Sequence, residues 1–275
     1  MNCLLLPAAA FSSLFDEGAT LQEGEQDGLA VQFDSAIISD PQQIAHIQTV
    51  LGAKVGDTLK IGQQAGNLGT GIIQRIAAQE IVLEKVVLDE PPPAKLALTV
   101  ILALPRPKVL RRLIMDMTAL GVQHIILLNS YRTQKSYWQS PMLARLDEFV
   151  QEGLQQACDT VAPQITLNKR FKPFVEDELP GLLAGDVGVV AHPYATMSFN
   201  EFMARQQANF HSKSSLAAAN PKPLPKLLFI GAEGGWIDYE IDLLQRHGFQ
   251  AVTIGSRILR TEAAVNALIG QWLIH

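Results

Sequence analysis

Two short glycine-containing loops are the places where this chain could bind a ligand and do chemistry. The first follows the apolar run LLFI and reads GAEGG, with Glu233 among its glycines. The second follows AVT and reads IGSRILRTE, where Arg257 and Arg260 alternate with apolar residues. Glycine lets a backbone approach a ligand closely, and free loop amides can donate hydrogen bonds to it. The two loops therefore predict a ligand site.

The spacing of the glycines argues against two classes of ligand site, the dinucleotide-binding fold and the P-loop. A dinucleotide fold needs G-x-G-x-x-G with an acidic residue downstream, and a P-loop needs G-x-x-x-x-G-K-[ST]. GAEGG has neither spacing. A plainer alternative is that these glycines only form turns. The charged residues of the second loop weaken that alternative, because they alternate with Ile258 and Leu259.

Strands alternating with helices must position both loops. KLALTVILAL is a continuous apolar run, as expected of a strand buried on both faces, and PKVLRRLIMDMTALG is helical with Gly121 as its C-cap. The strand-like HIILLN, a helix over 141–157, and the strand-like DVGVVAH, LLFI and AVTIG follow. This alternation predicts a mostly parallel α/β sheet, which binds ligands where the carboxyl ends of its strands meet.

Three prolines, Pro91–Pro93, separate this region from a different pattern. Before them, DTLKIG, GTGIIQRI and EIVLEKVVL are short β-type runs, and DPQQIAHIQTVL is one helix with Asp40 as N-cap. We therefore predict a small β-barrel over 1–92 and a second domain over 93–275. The Ser- and Pro-rich HSKSSLAAANPKPLPK is predicted to be a flexible loop or insertion.

Composition narrows the class of protein. The 275 residues are 48% hydrophobic and 18% charged, with a net charge of -5, which argues against a generally basic nucleic-acid coat but not against a local basic groove. Cys3 and Cys158 form no CxxC pair, so neither a disulfide framework nor a zinc site is indicated. No apolar run approaches the roughly 20 residues that span a bilayer. We expect a soluble, cytoplasmic protein without a membrane partner.

The motifs resemble those of the ribosomal RNA small subunit methyltransferase E family, in the SPOUT superfamily of knotted methyltransferases. The family's I-G-P-E-G-G, E-I helix and L-G-x-R-I-L-R-T-E-T-A correspond to IGAEGG, Glu240–Ile241 and IGSRILRTEAA. Upstream, HIQTVLGAKVGD resembles its H-x-x-x-V-L-R-x-x-x-G-D, and VAHPYA its strand ending in H-P. The resemblance covers almost the whole chain and is distinctive in the C-terminal motifs.

The resemblance implies a fold, a cofactor and a reaction. The fold is α/β, with a SPOUT-type trefoil-knotted parallel sheet with helices after a PUA-like β-barrel. S-adenosylmethionine binds in a cleft between the knot loops, and its methyl group goes to N3 of a uridine in 16S ribosomal RNA, without a metal. The resemblance also implies that the chain works as a homodimer. The implied cofactor residues are His192, Pro193, Ile230, Gly231, Glu233, Gly235, Ile254, Gly255, Ile258 and Leu259, of which Glu233 is expected to anchor its loop by accepting backbone amides.

The chemistry of that reaction indicates roles for three side chains. Uridine N3 must lose its proton before it attacks, so a base or a group that stabilises the uridinate is needed. Arg260 is expected to hold the uridinate oxygen or a neighbouring phosphate. Glu262 is either the base or the group that orients Arg260. His192 has a suitable ordinary pKa, although a lone histidine at a strand end is more often structural.

Basic clusters are candidates for contact with ribosomal RNA or a ribosomal particle. One cluster shares a helix face, and the other, NKRFK, adds Phe171, which could stack on a base. Arg132 lies where the family has a loop arginine. The alternative for each cluster is an ordinary solvated basic face. The expected RNA contacts are Lys108, Arg111, Arg112, Arg132, Lys169, Arg170 and Lys172.

Several positions depart from the family pattern. Ile237 stands where the family has a serine that caps the helix, and Asp238 is expected to take the role of that serine. Asp159 replaces an arginine expected to face RNA, which reverses the sign of that interaction and predicts weaker, more salt-sensitive RNA binding. Two alternatives therefore stay open, a divergent paralogue with another RNA substrate and a non-catalytic RNA-binding or assembly protein. The other departures are Gly52, Asp116, Ala119 and Ala232.

Overall fold

The computed structural model describes residues 2–13, 31–213 and 224–274, and the chain forms two compact units. The first unit comprises Met1–Ala94 and Gln151–Ala162, and the second comprises Lys95–Val150 and Pro163–His275. Residues 151–162 thus group with the first unit, whereas the boundary predicted at the three prolines puts them in the second domain. The Asn2 and Cys3 amides both donate to the Gln155 carbonyl oxygen, at 3.0 and 3.1 Å, which ties this segment to the first strand.

The first unit contains a six-stranded sheet in the order β1-β4-β5-β6-β3-β2. Strand β1 runs parallel to β4, and the other neighbours are antiparallel. Their apolar faces enclose a core that includes Ile38, Ile61 and Leu83. A PUA-like barrel stays a prediction for this unit. The strands are β1 Leu4–Leu6, β2 Phe11–Ser12, β3 Val31–Ile38, β4 Thr58–Gln63, β5 Leu68–Ile76 and β6 Ile81–Glu90.

The helix expected in this unit is present. Helix α1 spans Pro41–Ala45 and continues as a π-helix over His46–Leu51. Asp40 is its N-cap, as expected, and the carboxylate accepts the Gln43 amide at 2.9 Å. Gly52 ends the segment with φ 59°, a left-handed conformation that glycine adopts readily. The departure at Gly52 is therefore explained by how this helix ends.

The second unit is built on a six-stranded sheet in the order β12-β10-β11-β7-β8-β9, with every neighbouring pair parallel. The predicted parallel α/β sheet is confirmed. Strand β9 was not predicted, because QITLN lacks the continuous apolar run of its neighbours. The strands are β7 Leu96–Ala103, β8 Val122–Leu128, β9 Gln164–Asn168, β10 Gly188–Ala191, β11 Leu227–Ile230 and β12 Phe249–Val252.

Helices follow most of these strands. The helix predicted over 141–157 begins as a 3₁₀ turn, Pro141–Arg145. Residues 211–213, predicted to be loop, belong to α6, and residues 214–223 of that segment lie outside the described residues. In the described ranges no helix has both the length and the hydropathy needed to cross a bilayer. The α-helices are α2 Pro107–Ala119, α3 Leu146–Ala157, α4 Phe171–Pro173, α5 Leu179–Leu183, α6 Phe199–Lys213, α7 Asp238–Arg246 and α8 Thr261–Leu273.

Aromatic packing determines how closely the central strands approach. The Phe229 and Phe249 rings meet edge to face with centroids 4.9 Å apart. A Cβ on Gly188, which pairs with Phe249, would lie 2.1 Å from that ring. Only glycine therefore fits at the start of β10, and its fit positions β10 between β11 and β12.

Candidate functional site

Three loops leave the same edge of the parallel sheet. Strand β10 lies between β11 and β12, so the segments after Ala191, Ile230 and Val252 start side by side. The carboxyl ends of parallel strands are where open α/β sheets bind ligands. The two predicted glycine loops and the His192 segment therefore share one edge.

The first glycine loop is a tight turn after β11. The Gly235 amide donates to the Ala232 carbonyl oxygen at 2.8 Å, and Gly235 has φ +67°. A Cβ on Gly231 would lie 3.0 Å from the Gly235 Cα atom, so the turn leaves little room for a side chain there. The Glu233 carboxylate accepts the Arg106 amide at 3.1 Å. Glu233 thus anchors the loop through a backbone amide, as expected, to the segment after β7.

Arg132 joins the segment after β8 to the same loop. Its guanidinium donates to the Gly234 carbonyl oxygen. A Cβ on Gly234 would lie 2.9 Å from the Arg132 Cδ atom, so glycine permits this close approach. The predicted RNA contact is therefore also a support of the glycine loop.

A buried carboxylate, Glu240, holds these segments together. Its side chain is 2% exposed and accepts the Tyr131 amide at 2.8 Å and the Ile237 amide at 3.0 Å. Burial raises the pKa of Glu240, while the two amide bonds and the Arg132 charge partly oppose the rise. Glu240, and not Asp238 as expected, binds the backbone amide at the N-cap of α7. In the sequence Glu240 appeared only as a letter of the E-I motif, and nothing local indicated its bond to Tyr131.

The second glycine loop runs alongside the segment after β10. The Thr253 amide donates to the Met197 carbonyl oxygen at 2.9 Å, and the Phe199 amide donates to the Thr253 carbonyl oxygen at 2.8 Å. The Thr253 hydroxyl donates to the Gly255 carbonyl oxygen at 2.8 Å, and Gly255 has φ +147°. Ile254 is half-buried, and residues 255–260 are exposed. The loop is therefore fixed at its start and open to a ligand beyond it.

Arg260 and Glu262 lie at the start of α8. Arg260 is the N-cap residue, with its carbonyl oxygen accepting the Ala264 amide at 2.9 Å, and Glu262 is in the first turn. Within the described residues the Arg260 side chain makes neither a hydrogen bond nor an ion pair, and Glu262 is half-buried. The two side chains are thus near in sequence without being paired.

His192 contributes an imidazole at the end of β10. Its amide donates to the Val252 carbonyl oxygen at 2.9 Å, and its ring meets Tyr194 edge-on with centroids 5.6 Å apart. The Nδ1 atom is buried and has no hydrogen-bond partner in the described part of the chain. Burial lowers the pKa of His192, and the Asp238 carboxylate partly offsets this. The neutral imidazole therefore has an unused polar atom. Pro193, which follows, is exposed.

The cations of both basic clusters are exposed, whereas the aromatic ring in the second cluster is buried. Lys108, Arg111 and Arg112 are all exposed on α2. Phe171 is 8% exposed and packs on Trp236 with ring centroids 5.9 Å apart. The idea that Phe171 stacks on a base is therefore wrong, because the ring is part of the core.

The cations around Phe171 have protein neighbours. The Lys169 ammonium lies 5.8 Å from the centre of the Trp138 ring, and the Lys172 ammonium lies 3.7 Å from the Glu176 carboxylate. Arg170 is exposed, and its amide donates to the Asn168 side chain at 3.1 Å. Contact with RNA stays a prediction for these residues.

Two acidic departures have structural explanations. Asp159 is 2% exposed and accepts the Val161 amide at 3.0 Å. The interpretation of Asp159 as RNA-facing is wrong, because its carboxylate is buried. Asp116 on α2 accepts the Asn266 side-chain amide of α8 at 3.1 Å. Neither residue therefore indicates that RNA binding has been lost.

This chain is similar in sequence to known proteins over most of its length. The model of a family described as RNA methyltransferase domain matches residues 92–273. Ribosomal RNA small subunit methyltransferase E of Treponema pallidum is 28% identical over 227 residues, covering 82% of this chain and 80% of that protein. The protein of that name in Synechocystis sp. is 27% identical over 231 residues, covering 83% and 70%. The resemblance inferred from the glycine-loop motifs is confirmed.

Solved structures share the fold. Ribosomal RNA small subunit methyltransferase E from Neisseria gonorrhoeae, bound to S-adenosyl methionine, has a TM-score of 0.66 at 18% identity, covering 100% of this chain and 97% of that one. A putative methyltransferase from Legionella pneumophila, in complex with the same cofactor, has a TM-score of 0.65 at 18% identity, covering 99% and 97%. At these identities the likeness is one of fold.

Proposed function

This chain belongs to the RNA methyltransferase domain family, and we propose that it transfers a methyl group from S-adenosylmethionine to N3 of a uridine in 16S ribosomal RNA. The observation that carries the proposal is the arrangement of IGAEGG and IGSRILRTEAA, whose loops leave one edge of the sheet on either side of His192. The name of the relatives from Treponema pallidum and Synechocystis supports the choice of substrate.

The residues at this edge fit such a cofactor. Gly235 and Gly255 have positive φ, and in the described ranges no atom beyond the adjoining residues lies within 4 Å of where their Cβ would stand, so both loops offer open backbone. The buried Nδ1 atom of His192 offers a polar partner. S-adenosylmethionine supplies a methyl group made electrophilic by the sulfonium charge. The residues proposed to hold it are His192, Pro193, Ile230, Gly231, Gly235, Ile254, Gly255, Ile258 and Leu259, with Glu233 anchoring the first loop.

Arg260 and Glu262 are proposed to handle the charge and the proton of the uridine. Loss of the N3 proton places negative charge on the neighbouring carbonyl oxygens, and the exposed Arg260 guanidinium is available to bind one of them. Because Glu262 makes no ion pair with Arg260 in the described residues, we assign it the role of proton acceptor rather than that of orienting partner.

Other parts of the proposal follow the family resemblance. A trefoil knot is supported by the hydrogen bonds of Thr253 to Met197 and Phe199, since the chain after β12 runs beside the segment after β10. A PUA-like first domain, a homodimer and a cytoplasmic location complete it. RNA contact is assigned to a set of exposed cations, Lys108, Arg111, Arg112, Arg132, Lys169, Arg170 and Lys172.

Titration calorimetry and nucleoside analysis test the proposal together. S-adenosylmethionine is titrated into the wild-type protein and the Arg260→Ala variant, and each is then given small-subunit particles that lack N3-methyluridine. We expect equal cofactor affinity and a rate of N3-methyluridine formation that falls about 100- to 1,000-fold in the variant, the usual effect of removing an oxyanion donor. Absence of binding to wild-type protein would contradict the cofactor proposal, and a different methylated nucleoside would contradict the N3 assignment.

A further inference from the structure

We propose that Tyr131 and Tyr239 form a stacking platform for unpaired bases of the RNA strand that flanks the target nucleotide. The inference rests on the proposed function, since it names how the substrate of that site is held. The Tyr131 side chain is 78% exposed and that of Tyr239 is 47% exposed. A single exposed tyrosine is ordinary. These two tyrosines adjoin the buried Glu240 carboxylate, at the edge of the sheet where the strands have their carboxyl ends.

Their backbone is held firmly, although the rings are exposed. The Tyr131 amide donates to the Glu240 carboxylate at 2.8 Å, and Tyr239 is the residue before Glu240. The segment around Tyr131 is closed by the Thr133 amide, which donates to the Ser130 carbonyl oxygen at 3.1 Å, and by the two hydroxyls of these residues at 2.9 Å. Exposed aromatic rings on an ordered backbone lose little conformational entropy when a ligand stacks on them.

The platform is joined to the first glycine loop. Tyr131 follows β8, and Arg132 next to it donates to the Gly234 carbonyl oxygen. Glu240 also accepts the Ile237 amide, just beyond the glycines. The segments that carry the two tyrosines are thus hydrogen-bonded to the loop that is proposed to hold the cofactor. A base stacked on either ring would therefore lie beside the reacting nucleotide.

The surrounding charges indicate stacking rather than phosphate binding. The exposed charges of these segments are mixed, because three cations, Arg106, Arg132 and Lys135, are largely offset by two carboxylates, Glu233 and Asp238. A surface with so small a net charge gains little from phosphates, whereas the face of any unpaired base can stack on tyrosine. Bases in an A-form duplex are already stacked on one another. The favoured ligand is therefore single-stranded RNA.

Fluorescence anisotropy with a labelled single-stranded RNA of about 12 nucleotides, and with its duplex, tests the platform. Tyr131→Ala keeps the backbone amide and removes only the ring, so we expect single-strand affinity to fall about 10- to 100-fold while duplex affinity is unchanged. Tyr131→Phe should stay within about twofold, since stacking needs no hydroxyl. The slope of log affinity against log salt concentration should not change, because no phosphate contact is lost.

A matched control is Leu182→Ala. Leu182 is 38% exposed in α5, next to Leu183, which approaches Gly248 just before the amino end of β12. The Leu182→Ala change removes exposed apolar surface at a distance from the edge where the strands have their carboxyl ends. It should therefore leave RNA affinity unchanged. An equal loss in this control, or undiminished single-strand binding by Tyr131→Ala, would overturn the platform.

Cross-linking gives a readout that needs no variant. Wild-type protein irradiated with 5-bromouridine-substituted single-stranded RNA should yield cross-linked peptides that contain Tyr131 or Tyr239. Cross-links confined to other peptides, or no single-strand binding by the wild type, would refute the inference. If the protein methylates RNA normally and Tyr131→Ala does not weaken RNA binding, the platform is refuted and the proposed function stands. If RNA binding depends on Tyr131 but the protein does not bind S-adenosylmethionine, the proposed function is refuted and the platform stands.

Discussion

Replacement of Glu240 by alanine should loosen two parts of the site at once. The carboxylate is 2% exposed and accepts the Tyr131 amide at 2.8 Å and the Ile237 amide at 3.0 Å. Two hydrogen bonds to a charged group contribute roughly 3–6 kcal/mol together. Removing the carboxylate also removes its own desolvation cost, which offsets part of that gain. We expect the free energy of unfolding to fall by about 2–3 kcal/mol.

The glutamine variant separates the two bonds. Glu240→Gln keeps one acceptor oxygen, but its amide nitrogen is a donor and opposes one of the two backbone amides. One bond is kept and one is lost. The expected destabilisation is therefore about half that of the alanine variant, roughly 1–1.5 kcal/mol.

Urea denaturation followed by tryptophan fluorescence measures these changes. Trp138, Trp236 and Trp272 all belong to the second unit, so the signal reports the unit that contains Glu240. The control is Glu233→Ala, which removes an exposed carboxylate with one bond, to the Arg106 amide, and should cost less than about 1 kcal/mol.

Two results would refute the reasoning about Glu240. One is an alanine variant whose unfolding free energy lies within about 0.5 kcal/mol of the wild type. The other is a glutamine variant as unstable as the alanine variant, since the carboxylate would then not act through two separate acceptor oxygens.

Three further predictions use the same urea assay. Gly235→Ala should cost about 1 kcal/mol because its φ is +67°, whereas Gly181→Ala in α5, which has equal space for a Cβ, should be neutral or stabilising; equal effects would exclude backbone strain as the cause. Because burial lowers the pKa of His192, the unfolded chain takes up its proton at higher pH, so the stability of the wild type relative to His192→Asn should fall as pH drops below about 6.5. Because burial raises the pKa of Glu240, the sign is opposite, and the wild type relative to Glu240→Ala should be most stable below about pH 4.5 and should lose part of that advantage as pH rises through the folded pKa. For either residue, a stability difference that does not change with pH would contradict the titration assigned to it.

Sequence patterns predicted the parallel sheet and its two glycine loops because both depend on local features. A strand buried on both faces needs a continuous apolar run, and LLFI and KLALTVILAL show one. Strand β9 was missed because an outer strand with half-exposed residues does not need such a run. The order of strands depends on contacts distant in the chain, which periodicity does not encode.

The direction of single side chains was the harder part of the site. Phe171 between lysines and arginine looked like a surface aromatic, and its burial depends on Trp236, distant in sequence. Asp159 could be aligned with a family arginine, but an alignment gives a position and not an orientation. Glu240 bonds to Tyr131, 109 residues away, so no local pattern could indicate it.

The first unit is discontinuous in sequence, and this determines when it can finish folding during synthesis on the ribosome. Synthesis proceeds from the N-terminus, and domains generally fold as they emerge. Here the Asn2 and Cys3 amides need the Gln155 carbonyl oxygen, and Thr160 bonds to the Gly66 carbonyl oxygen. The first unit therefore completes its hydrogen bonds only after β7 and β8 of the second have been made. A gene fragment cut at the three prolines would therefore encode the first unit without residues 151–162, which complete its hydrogen bonds.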